Sequence, residues 1–293
     1  MGPTYQRLLK NDQAPAGYVV LGALTIWVGW AIASIVFISS ARAIRQDPAG
    51  TISWITLLAN NLSLAAFIPL SFIVAQRLNR QAPGLLSSVL GRIRWRPLAW
   101  FAAAAVLVEL LSLLAIKILG IELLGKGDGP APDAAAVIVV VLLTSTIQSA
   151  GEEYYYRGYL LQACGALLRN PLVAVLVTTV LFTMAHNVLP WQSPALFLDR
   201  FAFGLVAAML AIRTGGLEAG IAAHAANNVV TFVYAALTDS VGASIGAKEA
   251  PWSLVLVDIA KFALFGAIAL WIGKRMKVET TCELPLAQTP RLV

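Results

Sequence analysis

The chain has 293 residues, of which 59% are hydrophobic and 12% charged, and its net charge is +6. Soluble domains carry roughly 25% charged residues, so this composition excludes a soluble globular protein. The basic residues are divided among short loops between apolar runs, which excludes a nucleic-acid footprint and favours contact with anionic membrane lipids.

The apolar runs are about 18 to 25 residues long, which is the length that crosses a hydrocarbon core of about 30 Å. Each run is predicted to be a helix, because lipid cannot hydrogen-bond to an open backbone. We therefore predict an all-α, polytopic membrane protein with about eight transmembrane helices and an intramembrane polar cavity. In chain order, the predicted spans are roughly Gly17–Ser40, Ile52–Gln76, Leu98–Leu119, Ala134–Ala150 continuing to Leu168, Leu172–Leu189, Leu196–Ile212, Leu217–Leu237 and Trp252–Gly273.

Loop charge predicts the orientation, because Lys and Arg are enriched on the cytoplasmic side. We predict a cytoplasmic N-terminal segment at 1–16, one membrane domain at 17–273 and a cytoplasmic tail at 274–293, in a bacterial cytoplasmic membrane. Arg42 and Arg45 fall on the opposite side and argue against this topology. The basic residues that support it are Arg7, Lys10, Arg77, Arg80, Arg92, Arg94, Arg96, Arg169, Lys274, Arg275 and Lys277.

The basic segment between the second and third spans also contains Leu85, Leu86 and Val89. It is predicted to be either an interfacial amphipathic helix or an ordinary basic loop.

Ionisable residues within spans usually face the bundle interior, because lipid exposure is costly. Asp258 and Lys261 stand three residues apart on the last span, so they are predicted to pair with each other. Glu109 lies deep in the third span and has no obvious partner in the sequence.

The two histidines, His186 and His224, both lie in apolar runs of the second half of the chain. Each has an aromatic or polar residue four positions away. Phe182 precedes His186 by four residues and Asn228 follows His224 by four, so each pair shares a helix face.

Two adjacent glutamates, Glu152 and Glu153, lie on the long fourth run. Neighbouring helical residues point about 100° apart, so they cannot face the same point. Glu153 and Arg157 are spaced to pair at i and i+4. This pair leaves Glu152 free to face the bundle centre.

Three helices would then bring Glu152, His186, His224 and Asn228 to one locus. A carboxylate with two imidazoles can activate water as a general base. The residues Glu152, His186 and His224 could also hold a divalent metal such as zinc. A polar network that only fixes helix packing is the structural alternative.

Three motifs carry a resemblance to a known family. Residues 152–157 (EEYYYR) fit EExxxR, residues 182–186 (FTMAH) fit FxxxH, and residues 224–228 (HAANN) fit HxxxN. In this order on successive membrane helices, they resemble the CPBP family of intramembrane endopeptidases, which includes the type II CAAX prenyl proteases and bacteriocin-processing (Abi) proteins.

The resemblance implies an intramembrane endopeptidase, glutamate-dependent or metal-dependent. It implies that Glu152 acts as general base on water with the help of His186, and that His224 and Asn228 stabilise the oxyanion. Glu153, Arg157 and Phe182 are expected to support these groups. The implied substrate is a prenylated CAAX-type protein or a leader-type peptide at the membrane.

Two other function classes remain open: a membrane immunity or adaptor protein that binds peptides without cutting them, and an ion-coupled transporter. We expect the pocket to open toward the cytoplasm. At 1.5 Å per residue, His224 and His186 would differ in depth by roughly 10 Å, unless the fourth and fifth helices extend beyond the bilayer.

Overall fold

The computed structural model describes residues 2–10, 14–48, 51–122 and 129–284, and its regular elements are helices. In the described residues, seven helices are long and apolar enough to cross a membrane, and Pro171–Ala185 is a shorter apolar helix. The predicted all-α membrane fold is confirmed, with a helix count close to the predicted eight. The helices are α1 (Gly17–Ile44), α2 (Trp54–Ala65), α3 (Phe67–Arg77), α4 (Trp95–Ile118), α5 (Ala134–Glu153), α6 (Leu161–Leu167), α7 (Pro171–Ala185), α8 (Pro194–Thr214), α9 (Glu218–Leu237), α10 (Val241–Ile245) and α11 (Trp252–Met276).

Helix α5 lies at the centre of the bundle and packs against α2 and α9. Gly151 permits the close approach of α2, because a Cβ at this position would lie 2.2 Å from the Leu64 carbonyl oxygen. Helix α1 is peripheral. Only 17% of the residues in its most apolar stretch are buried inside the protein, so most of its side chains are available to lipid. The central position of α5 places the two glutamates at its C-terminal end inside the protein.

Helix α7 has 15 residues and ends at Ala185, four residues before the predicted end of this span at Leu189. Asn187 adopts a left-handed conformation with φ of 55°. Asn is one of the few residues that commonly takes this conformation immediately after a helix, and Pro190 follows it. Helix α7 is therefore shorter than the predicted span, and His186 lies at its C-terminal end.

The fourth span is the longest apolar helix among the described residues. It runs without a break over 34 residues, Ala134–Leu167. Gly158 lies at the level of Leu217, whose side chain would be 3.5 Å from a Cβ at that glycine. The nine further residues to Leu167 extend about 13 Å beyond this level. The unusual length predicted for the fourth helix is confirmed, and α7 begins shortly after its far end. Its extension beyond the bilayer stays a prediction.

The two ends of the described chain meet on one face of the bundle, which we call the termini face. Thr4 and Thr281 form an antiparallel bridge, and the Cys282 amide donates to the Pro3 carbonyl oxygen at 2.9 Å. The N-terminal segment also covers α6, since a Cβ at Gly165 would lie 1.9 Å from the Gln6 carbonyl oxygen.

The segment of residues 78–93 closes the termini face. Its one helical element is a short 3-10 turn, Pro83–Leu86, so the amphipathic helix, one of the two predicted alternatives, is wrong. Leu85, Leu86 and Val89 are fully buried, because the segment folds inward under the bundle instead of lying on the membrane surface.

A buried ion pair joins Arg94, the residue that follows this segment, to α9. Arg94 Nη2 lies 2.6 Å and Nε 2.8 Å from the two oxygens of Glu218, and the Arg94 backbone amide donates to the same carboxylate. Both side chains are buried. The pair fixes the closing segment to the start of the helix that carries His224.

We expect Arg94→Ala to destabilise the protein, because it leaves the Glu218 carboxylate buried without its partner, which costs about 3–5 kcal/mol. The thermal unfolding midpoint of the detergent-solubilised protein should fall. Arg96→Ala is the matched control, since Arg96 lies two residues away and is exposed. Equal midpoints for the two variants would contradict the assignment.

Candidate active site

The first motif lies where α5 changes its helical geometry. Residues Tyr154–Leu160 form a π-helical segment between α5 and α6, a rare geometry that is frequent at functional sites. Arg157 Nη1 lies 2.8 Å from Glu153 Oε1, and both side chains are almost completely buried. The pairing predicted from their spacing is confirmed.

Glu153 also contacts the third motif. Its Oε1 lies 2.9 Å from Nδ1 of His224, so one carboxylate oxygen accepts from both Arg157 and His224. The Arg157 guanidinium stacks over the Phe182 ring at 4.0 Å from the centroid, which is a cation–π contact. The network brings residues of all three motifs together around Glu153.

Glu152 points in a different direction and lines a cavity. Gln148, one helical turn earlier, donates from Nε2 to Glu152 Oε1. Asn228 Nδ2 in turn donates to Gln148 Oε1 at 2.9 Å and to Ser149 Oγ at 3.3 Å. Sequence reasoning missed Gln148 and Ser149. The i, i+4 spacing of Gln148 and Glu152 on a predicted helix was the available signal.

His186 lines the same cavity and is more exposed than His224. Its Nδ1 lies 2.8 Å from the Phe182 carbonyl oxygen. A carbonyl oxygen only accepts, so Nδ1 carries the hydrogen and Nε2 is left as an acceptor. The imidazole packs on the Phe182 ring at 4.6 Å between centroids, and the Phe182 ring also packs on His224 at 6.2 Å.

The cavity has a volume of about 350 Å³ and is lined by Glu152, His186, His224 and Asn228. Helix α2 contributes Asn60, Asn61 and Leu64 to the lining, and Gln148 and Phe182 also contribute. The rest of the lining comes from the helix ends that lie away from the termini face: the first halves of α8 and α11, the last halves of α4 and α9, and the connection at 238–251.

The closing segment of residues 78–93 contributes nothing to the cavity lining. The cavity is therefore reached from the side opposite the termini. The buried leucines of the closing segment fill the termini side. The expectation that the pocket opens toward the cytoplasm stays a prediction.

The candidate metal ligands Glu152, His186 and His224 do not converge. Over the described ranges, no group of three or more His, Cys, Asp or Glu side chains is arranged to hold a metal ion. His224 turns Nδ1 toward Glu153, and Glu152 turns Oε1 toward Gln148. The arrangement present does not fit the zinc site considered from the sequence.

Comparison with known proteins supports the motif assignment. Residues 134–230 match the family model described as type II CAAX prenyl endopeptidase Rce1-like. This region is similar to the type II CAAX prenyl endopeptidases. The match contains all three motifs, and it confirms the resemblance predicted from them.

A second similarity is to the uncharacterized protein YyaK of Bacillus subtilis (strain 168), which is 33% identical over 138 residues. That alignment covers 44% of this chain and 46% of YyaK, so the chain matches about half the length of this curated relative. Helices α4 and α11, which contribute to the cavity, lie outside residues 134–230.

A substitution at Gly220 on α9 tests how tightly the Glu153 side chain is packed. A Cβ at Gly220 would lie 2.7 Å from Glu153 Oε2, and Glu153 cannot retreat without leaving Arg157 and His224. We expect Gly220→Ala to destabilise the protein by about 1–3 kcal/mol through overpacking, read as a lower unfolding midpoint. Gly158→Ala is the control, because its nearest contacts of 3.5 Å are ordinary. A midpoint for Gly220→Ala at or above that of the control would show that the site is not tightly packed.

Proposed function

We propose that this protein is an intramembrane endopeptidase that hydrolyses a peptide bond of a membrane-associated substrate. The single observation that carries the proposal is that Glu152, His186, His224 and Asn228 all line one cavity of the helix bundle. The similarity of residues 134–230 to type II CAAX prenyl endopeptidases supports the reaction class.

In the proposed reaction, Glu152 takes a proton from water through the carboxylate oxygen that Gln148 does not occupy. The water oxygen attacks the scissile carbonyl carbon and forms a tetrahedral oxyanion. When the C–N bond breaks, the proton held by Glu152 passes to the leaving amine. General base action of this kind typically contributes 10²–10⁴-fold to the rate. His186 Nε2, an acceptor on the cavity wall, helps to hold the water.

The oxyanion would be stabilised by His224 and Asn228. His224 donates through Nδ1 to Glu153, so Nε2 becomes a donor only when the ring carries a second proton. The Glu153 carboxylate supplies the countercharge for that imidazolium. Asn228 would turn one N–H from Ser149, its longer partner at 3.3 Å, to the oxyanion. Removing one such donor commonly reduces turnover by about 10²–10³-fold.

Glu152→Gln is expected to abolish cleavage while the protein remains folded, because the amide keeps the shape of the carboxylate but cannot accept the proton. Membrane fractions from cells producing wild-type or Glu152→Gln protein are compared for new peptide termini, and a farnesylated CAAX peptide serves as a defined probe in vitro.

Each outcome of this comparison has a definite meaning. Termini that appear only with the wild-type protein support the endopeptidase. Identical termini in both membranes, with no cleavage of the probe, would favour a non-catalytic immunity or adaptor protein. Cleavage that resists Glu152→Gln but stops with a chelator and returns with zinc would replace the proposed glutamate mechanism by a metal-dependent one.

The orientation of the protein decides which side supplies the substrate. The basic loops of the termini face predict that this face is cytoplasmic. The cavity, reached from the opposite side, would then take its peptide bond from the non-cytoplasmic half of the membrane.

Cysteine labelling of intact cells with a membrane-impermeant maleimide tests this orientation, with the two native cysteines replaced. Lys248→Cys is expected to react directly, because Lys248 is exposed in the 238–251 connection beside the cavity. Arg96→Cys, exposed on the termini face, is expected to react only after permeabilisation. The reverse pattern would place the cavity on the cytoplasmic side.

A further inference from the structure

A second polar cluster, centred on Lys261, lies on the wall of the same cavity. Lys261 Nζ lies 2.8 Å from Asp258 Oδ1, 3.3 Å from Glu109 Oε2 and 2.9 Å from Asn227 Oδ1. An ammonium group has three N–H donors, and these three oxygens can accept one each. Two of the contacts are ion pairs, whereas the third leads toward the active site.

The contact with Asn227 begins a chain of side-chain amides. Asn227 Nδ2 donates to Asn228 Oδ1 at 3.2 Å. Asn228 Nδ2 donates to Gln148 Oε1 at 2.9 Å, and Gln148 Nε2 donates to Glu152 Oε1. Four hydrogen bonds thus connect the ammonium group of Lys261 to the carboxylate proposed as general base.

The direction of this chain is set from both ends. An ammonium group only donates, so Asn227 must present its oxygen to Lys261. An ionised carboxylate only accepts, so Gln148 must present its N–H to Glu152. The two requirements agree through every amide between them. Reversing any one amide would make two donors or two acceptors face each other, and unmade hydrogen bonds in a buried site are costly.

We propose that Lys261 is a positioning residue that holds Glu152, through Asn227, Asn228 and Gln148, in the orientation needed to activate water. Hydrogen bonds in a chain polarise one another in surroundings of low dielectric constant, so the positive charge of Lys261 strengthens each link. With Oε1 of Glu152 fixed by Gln148, Oε2 is directed to the water. This inference rests on the endopeptidase function proposed above.

The competing explanation is that Lys261 only neutralises Glu109 and Asp258, since an unpaired charge within a membrane is costly. Two near-isosteric variants separate these roles. In Asn227→Asp, the new carboxylate still accepts from Lys261 but cannot donate to Asn228, so the ion pairs remain and the chain is cut. In Glu109→Gln, the charge cluster changes and the chain remains.

The test measures kcat, KM and the unfolding midpoint of the full chain in detergent, with the farnesylated peptide or a substrate identified from the termini comparison. We expect Asn227→Asp to reduce kcat about tenfold or more, the effect of losing roughly one hydrogen bond, with little change in KM or midpoint. Glu109→Gln should keep kcat within about threefold, less than one such bond is worth.

Lys261 itself is tested with two variants. Lys261→Met should lose kcat as Asn227→Asp does and should also lower the midpoint, whereas Lys261→Arg should recover much of the activity by restoring a charged donor. Wild-type kcat in Asn227→Asp, or an equal loss in Glu109→Gln, would overturn the proposal.

A readout that needs no cleavage distinguishes failure of the hydrogen-bonded chain from failure of the endopeptidase function. In protein labelled with ¹⁵N-glutamine, the side-chain amide resonance of Gln148 is assigned by its loss in Gln148→Glu. The chain predicts that this resonance moves in both Asn227→Asp and Lys261→Met and stays in place in Glu109→Gln. An unmoved resonance in the first two would overturn the chain, whatever the protein does to peptides.

Discussion

The active-site region depends on a single buried carboxylate, that of Glu153, which Arg157 and His224 share. Glu153 is fully buried, and its Oε1 accepts from both Arg157 and His224. Removing one partner of a buried pair is far more damaging than never having had the pair, so the three side chains hold one another in place. This shared oxygen ties α9 to the π-helical segment, while Phe182 of α7 packs against the Arg157 guanidinium.

The direction of Glu152 follows from the same constraint. Adjacent residues in a helix point about 100° apart, so once Glu153 faces Arg157 and His224, Glu152 is turned into the cavity. There it meets Gln148 and, through Gln148, Asn228. Two neighbouring glutamates thus have separate tasks: one joins the helices and the other is available to water.

The early end of α7 and the closing of the termini face together decide how the site is reached. Because α7 ends at Ala185, His186 is the residue that caps this short apolar helix, and its side chain lines the cavity. Because residues 78–93 fill the opposite side with buried leucines, the cavity extends only away from the termini. The polar groups that line it, including Lys261 and Glu109 from outside the matched region, are thereby kept away from the basic face.

The sequence by itself determined the membrane class, the approximate spans and the pairs within a single helix. Glu153 with Arg157 and Asp258 with Lys261 could be predicted because helix geometry alone brings residues three or four apart together. The sequence could not decide that His224 pairs with Glu153, 71 residues away, or that Glu109 finds Lys261 across 152 residues. Those contacts depend on the relative depth and rotation of separate helices, which packing decides. The end of α7, the inward fold of residues 78–93 and the open side of the cavity were decided only by the tertiary structure, for the same reason.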